Sequence, residues 1–312
     1  MRPIFENIDP RAASLWGGHT VKLRHTVADR ELFSDESLAR LIECIDPRHM
    51  DISTMGDDVS TWGHCDRGGL PGASVLEAVR GGRIWINMMA IDKVDPRFDE
   101  LLEQMYVELQ GAVPGFRTFK RKLGLLISSP GAKVFYHFDV PGQGLWQIRG
   151  RKRIWLYPPT EPFLAASDVE DVVRSLDKED VPYQPWFDDY AVAYDLEPGD
   201  MLHWPLNAPH RVENHDVLNV SLTTEHWTSQ IRRCYAASYG NGILRRHAQW
   251  RPRSRATTGP AFWAKAALTA AWRAAGIQRK HSYQRVLSYR IDPQAPLGRR
   301  LLEEADRTAI TI

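Results

Sequence analysis

The stretch LGLLISSPGAKVFYHFDVPGQGLWQIRGRKRIWLYPP, residues 123–159, decides how the chain reads. Its bulky runs are Leu123 to Ser128, Val134 to Val140, Leu145 to Arg149 and Arg153 to Tyr157. They are parted by Pro130-Gly131, Pro141-Gly142 and Gly150, and closed by Pro158-Pro159. β-Branched and aromatic residues suit a pleated, half-buried surface, and Pro-Gly pairs cut it into short pieces. The rhythm returns as Ala191 to Leu196, Pro198-Gly199-Asp200, Met201 to Trp204 and Val217 to Thr224. Many short strands at this spacing predict a sandwich or barrel over 119–227.

The same stretch carries the chemistry. His137 and Asp139 are two apart, so in a strand they share one face and can enter one cavity. His210, in Pro209-His210-Arg211-Val212, can return to that cavity from a distant strand. Two neutral imidazoles and one carboxylate occupy one face of an octahedron and leave three open positions, the arrangement suited to Fe(II) oxygen chemistry. The His-x-Asp spacing alone is common, and a lone strand histidine is more often a hydrogen-bonded core residue than a ligand.

Three segments together resemble the JmjC/cupin-like branch of the Fe(II)- and 2-oxoglutarate-dependent oxygenases, the branch that includes the asparaginyl hydroxylase of hypoxia-inducible factor. They are Ser129-Pro130-Gly131 to His137-Phe138-Asp139, Trp146 to Arg153 through Tyr157-Pro158-Pro159, and Pro198-Gly199-Asp200-Met201 through His210-Arg211-Val212. Gly81-Gly82-Arg83-Ile84-Trp85-Ile86-Asn87 is also similar to the N-terminal part of bacterial cupin-like members. The resemblance implies a mainly β fold: a double-stranded β-helix, or jelly roll, with flanking α-helices and a C-terminal helical region. It implies that His137, Asp139 and His210 hold Fe(II), with 2-oxoglutarate as co-substrate and O2 as oxidant. Lys152 matches the basic residue that pairs with the far carboxylate of 2-oxoglutarate, and a buried dianion needs such a partner. Gln143 falls where a polar residue near the co-substrate is expected. Glu225 and Trp227 fall where family members line the substrate site. The chain departs from the pattern at Val134, where the family commonly has a threonine hydroxyl on the same carboxylate. Ser128, Ser129 and Tyr136 are the nearby hydroxyls that could take its place.

Around this core the signals are weaker. Ser34 caps a predicted helix ending before Pro47, Ala73 to Arg80 reads as a helix stopped by Gly81-Gly82, and Leu101, Leu102, Met105, Tyr106 and Leu109 mark a third helix over 99–109. Arg83 to Ile91 reads as a strand. Residues 48–72 read as polar loop, including His64-Cys65-Asp66, which lacks partners at ligand spacing. The acidic insertion 160–190, with a short helix from Val169 to Leu176, reads as a solvated excursion. The tail beyond Arg251-Pro252-Arg253-Ser254-Arg255 reads as helical, with Phe262 to Gly276 rich in alanine.

The chain has 312 residues, 40 basic and 39 acidic, with 43% hydrophobic and 25% charged, which excludes a disordered or membranous composition. The balance is uneven: residues 231–312 carry 16 Lys/Arg against 4 Asp/Glu, whereas 1–230 carry 24 against 35. Three distant cysteines, Cys44, Cys65 and Cys234, form no disulfide framework, and the N-terminus has no apolar signal segment, so a cytoplasmic protein is expected. The organisation expected is an α+β extension (1–118) packing on the barrel, the jelly roll (119–230) and a basic helical region (231–312). The leading function is a hydroxylase-type 2-oxoglutarate-dependent dioxygenase acting on a protein side chain or a small molecule. Two alternatives stand beside it: a cupin module that binds metal without oxygenase activity, for which Val134 speaks, and a regulator or peripheral protein using its basic tail on an anionic partner. For the tail, dimerisation through helices is favoured over contact with nucleic acid or an anionic membrane.

Overall fold

Leu123, Leu125 and Ile127 leave their strand on one side, Leu126 and Ser128 on the other, and the architecture follows from covering both sides. The computed structural model describes residues 2–54, 62–175, 181–277 and 284–311. Its helices are α1 (Pro10–Leu15), α2 (Asp35–Cys44), α3 (Gly72–Gly81), α4 (Pro96–Ala112), α5 (Ala166–Ser175), α6 (Ser229–His247) and α7 (Gly259–Ala274). The strands before the barrel are β1 (Val21–Arg24), β2 (Met50–Thr54), β3 (His64–Asp66) and β4 (Ile84–Met88). Those of the barrel are β5 (Phe119–Ser128), β6 (Lys133–His137), β7 (Gly142–Arg149), β8 (Lys152–Leu156), β9 (Val192–Leu196), β10 (Asp200–His203), β11 (His210–Asn214) and β12 (Asn219–Trp227). Three follow the helical tail: β13 (Gln284–Ile291), β14 (Arg299–Leu301) and β15 (Thr308–Thr311).

From β5 to β12 the chain passes between two sheets, as a jelly roll does. The large sheet runs β1-β10-β7-β12-β5-β4-β2-β3-β13-β14, with β15 also on β13, and the small sheet runs β6-β11-β8-β9. One face of the large sheet, with Leu123, Leu125, Ile127, Ile84, Ile86 and Met88, packs under α2, α3 and α4. The opposite face meets the small sheet around Leu145, Ile154, Leu156, Leu196, Leu202 and Trp204. Strand β7 is buried on both faces because it lies between β10 and β12 at the centre of this layer. Among the described residues no helix is long and apolar enough to cross a membrane.

Several expectations change. The polar segment 48–72 contains β2 and β3, which take their strand character from β4 and β13 rather than from composition. His64, read as part of a polar loop, stands in β3 with its Nδ1 2.8 Å from an Asp51 carboxylate oxygen across the β2–β3 pair. Only the first part of the tail is helical. Leu287, Tyr289 and Ile291 alternate inward along β13, which runs parallel to β3 and continues the large sheet. The unmarked N-terminal segment supplies β1, which borders β10.

The acidic insertion is not a solvated excursion either. Val169, Val172 and Val173 of α5 are buried with Tyr239 and Ile243 of α6. The two oppositely charged parts of the chain meet here: Glu170 accepts from Arg245 Nε at 2.6 Å, and Asp171 pairs with Arg246 at 2.7 Å. The Glu170 side chain is 2% exposed while Arg245 keeps 26% exposure and the field of Asp171, so losing the Glu170 charge removes a charge-assisted hydrogen bond and leaves the guanidinium partly hydrated. Glu170→Gln is expected to lower the stability by about 1.5 kcal/mol, read as an earlier midpoint in chemical denaturation at unchanged slope. Asp171→Asn, at a pair exposed on both sides, is expected to change it by under ~1 kcal/mol.

Candidate metal centre and co-substrate cavity

Strands β6 and β11 are antiparallel neighbours in which His137 and His210 are direct partners, so both imidazoles leave the small sheet on one side. The register shifts between His210 and Val212, and Val134 faces Val212. Asp139 follows two residues after His137, and its backbone carbonyl accepts from Asn207 Nδ2 at 2.8 Å. The imidazole centroids lie 4.2 Å apart, and His210 Nε2 is 3.5 Å from an Asp139 carboxylate oxygen. One ligand atom from each of the three residues lies within 4.8 Å of the others, the one such cluster of His, Cys, Asp and Glu among the described residues.

The ring orientations are fixed from behind. His137 Nδ1 donates to the Phe135 carbonyl at 2.7 Å, and His210 Nδ1 donates to the Ala208 carbonyl at 3.1 Å. A carbonyl can only accept, so each proton sits on Nδ1 and each Nε2 keeps its lone pair for a cation. Trp204 packs its ring 4.8 Å from that of His210. Burial pushes the Asp139 carboxyl up, with Glu225 adding to the effect and His137 opposing it. Burial and the nearby His137 hold His210 well below its ordinary value. A bound cation would relieve this arrangement, because it favours the charged carboxylate and the neutral imidazole together.

Deeper in the barrel, Lys152 opens β8 and is 3% exposed. Its ammonium has no hydrogen bond or ion pair among the described residues, and burial alone pushes it down to about 7. It lines a small cavity with Ser128, Val134, Leu145 and Asn214. Of the three hydroxyls weighed as replacements for the missing threonine, only Ser128 is there. Ser129 Oγ donates to the Val79 carbonyl, and Tyr136 Oη donates to the Phe163 carbonyl. Asn214 Nδ2 donates to Ser128 Oγ at 2.7 Å, which leaves the serine's own proton available. Asn214 went unnoticed in the sequence, although His210, Val212 and Asn214 are spaced to share one face of β11.

Gln143 and Glu225 are direct partners across β7 and β12, on the barrel-facing side that Leu145 also occupies. Glu225 also faces Lys122 of β5, whose ammonium lies 3.8 Å from its carboxylate. Trp227 follows a register shift after Glu225 and packs edge-on against Tyr235 of α6, with centroids 5.4 Å apart. The structure thus brings six of the seven expected residues to one end or the interior of the barrel, while Trp227 turns toward the helices.

Comparison with known proteins supports the architecture. Residues 78–230 match the cupin-like domain family. The chain is 36% identical over 120 residues to the tRNA wybutosine-synthesizing protein 5 of Gallus gallus, covering 37% of this chain and 37% of that protein. To its namesake in Mus musculus it is 32% identical over 159 residues, covering 47% of this chain and 49% of that protein. The chain therefore spans less than half the length of these curated relatives. The crystal structure of Escherichia coli YcfD superposes with a TM-score of 0.50 at 16% identity, covering 89% of this chain and 70% of that one, and so shares its fold.

Proposed function

We propose that the cupin-like domain of residues 78–230 makes this chain an Fe(II)- and 2-oxoglutarate-dependent oxygenase of the hydroxylase type. The observation that carries this reading is Lys152. A buried ammonium facing a cavity with no carboxylate among the described residues is costly unless an anion enters, and the cavity lies inside a barrel bearing two histidines and an aspartate. His137, Asp139 and His210 would hold Fe(II) through two Nε2 atoms and a carboxylate. When bound, Fe(II), 2-oxoglutarate and O2 supply the oxidising chemistry, turning 2-oxoglutarate to succinate and CO2 while a substrate C–H becomes C–OH.

The protein's own part is placement. Lys152 pairs with the far carboxylate of the co-substrate, and the Ser128 hydroxyl donates to the same group in place of the threonine that Val134 replaces. Asn214 holds that serine in position, and Phe135 and Ala208 hold the histidine tautomers. Gln143 and Glu225 offer polar contacts at the mouth where a substrate would approach. The names of the curated relatives add tRNA to the substrates to be tried, beside peptides and small metabolites.

The test is to incubate the protein with Fe(II), 2-oxoglutarate and O2 and to follow succinate by NMR across that panel. Metal-dependent succinate formation is expected. Absence of succinate together with absence of metal-dependent 2-oxoglutarate binding would sink the proposal. A second measurement separates Ser128 from its neighbours. Ser128→Ala is expected to weaken 2-oxoglutarate binding about tenfold, as loss of one hydrogen bond to a charged group does. Adding Val134→Thr to that variant is expected to recover most of the loss in the same calorimetric titration.

A further inference from the structure

Across the large sheet from the triad lies a second pocket of about 520 Å³, the size that holds a single drug-sized ligand. Alternation along β12 sends Glu225 into the barrel and His226 out of it, toward α4. The pocket walls are aromatic. Trp16 stacks on His203 at 4.1 Å, and Phe116 stands edge-on to both Trp16 and His226, at 5.6 and 5.2 Å. His203 is locked, donating from Nδ1 to the Gln143 carbonyl and accepting at Nε2 from the Gly17 amide.

His226 is different. It is 4% exposed, its Nδ1 is bound to the Tyr106 hydroxyl at 3.1 Å, and its Nε2 has no hydrogen-bond partner among the described residues. It lines the pocket opposite the start of α6, where Ser229 and Gln230 present first-turn amides outside the helix's own ladder. Thr228 spends its hydroxyl on the Ile231 amide. Arg117, which donates from Nη1 to the Phe116 carbonyl at 2.9 Å, also lines the pocket, and among the described residues no carboxylate does. A helix N-terminus and a guanidinium both favour negative charge.

We propose that this pocket binds a planar aromatic acid, its ring against Phe116 and Trp16, its polar edge on His226 and its anionic group toward Arg117 and the start of α6. The site stands apart from Lys152 and the triad, and does not depend on the oxygenase reading. Trp204 borders both, since it lines this pocket and contacts His210.

The probe is indole-3-acetate, with indole alone and acetate alone as controls, added to the full chain. Binding is followed by tryptophan fluorescence and by protection of Cys234, a free thiol in the pocket lining, from N-ethylmaleimide. Saturable binding is expected, with indole and acetate each at least tenfold weaker. Phe116→Ala and His226→Gln, checked for folding by circular dichroism, are each expected to weaken binding by at least about tenfold, the 1.4 kcal/mol of one modest contact. Lys152→Ala and His137→Ala are expected to leave it within twofold. The proposal is overturned by no saturation up to about 5 mM, above which ~3 kcal/mol or less of binding energy remains. It is equally overturned by no protection of Cys234, by indole binding as tightly as the acid, or by loss of binding in Lys152→Ala.

Discussion

Metal-dependent succinate formation by His210→Ala is expected to fall by more than about a hundredfold, since loss of even an outer-shell partner costs up to that much. The argument is geometric. His210 touches both other members of the triad: it is the direct strand partner of His137, and its Nε2 lies 3.5 Å from an Asp139 carboxylate oxygen. Its Nδ1 is committed to the Ala208 carbonyl, so no other tautomer competes. Without it, two ligands remain on one side of the site, too few to hold a cation against water. The fold should survive, because in the metal-free protein the triad adds buried polar groups rather than apolar contact. The discriminating measurement is thermal unfolding with and without Mn(II). At metal a hundredfold above its Kd, binding stabilises the native state by about 2.7 kcal/mol, raising the wild-type Tm by roughly 5 °C for a chain of this size. In His210→Ala that rise should vanish while the metal-free Tm stays close to wild type. A variant with normal metal-induced stabilisation would remove His210 from the site.

Lys152→Met is expected to act in opposite directions on two properties. Binding of 2-oxoglutarate should weaken about a hundredfold or more, the effect of losing ~3 kcal/mol from a charge-assisted contact in a dry cavity. The free protein should become more stable by about 1–3 kcal/mol, because an apolar chain of similar length replaces a buried cation without a partner. The pH dependence carries a sign. The ammonium titrates near 7 in the folded protein and near 10.5 when unfolded, so between those values the unfolded chain binds more protons. The destabilisation it causes is complete below pH 7 and gone above about pH 10.5, so the stability gap between wild type and Lys152→Met should close as pH rises through that window. The co-substrate needs the charged form. Its binding should therefore take up close to one proton at pH 8 to 9, measurable by calorimetry in buffers of different ionisation enthalpy. Equal stability of the two proteins at pH 7, or binding without proton uptake, would contradict the assignment.

What could be read from sequence depended on whether local residues or distant partners determine an element. The barrel strands were legible because they are buried on at least one face and separated by Pro-Gly turns, so pattern and environment agree. The pairing of His137 with Asp139 was legible from two-residue spacing, whereas the position of Lys152 beside Ser128 and Asn214 came from three strands distant in sequence. Strands β2 and β3 were hidden because their polar residues become strand only against β4 and β13. In the tail, the alanine-rich α7 and the density of arginine obscured the plain alternation of Leu287, Tyr289 and Ile291. The charge asymmetry left an anionic partner open beside the favoured helical packing, and part of it is satisfied internally, by Glu170 and Asp171 against Arg245 and Arg246.

The parallel pairing of β13 with β3 also sets an order of events during synthesis. Strand β3 emerges with β2 on one flank, and its other flank has no neighbour until β13 follows more than two hundred residues later. During that interval the barrel strands can assemble, but the far margin of the large sheet stays open, able to pair with any extended segment it meets. Closure joins positions so distant in the chain that it is entropically slow, which makes it the natural last step of folding. Chains arrested before residue 284 should therefore hold a formed triad and still aggregate through the β3 margin. Bringing the nascent protein to maturity would then be limited by its tail, although the candidate metal-binding residues are complete long before.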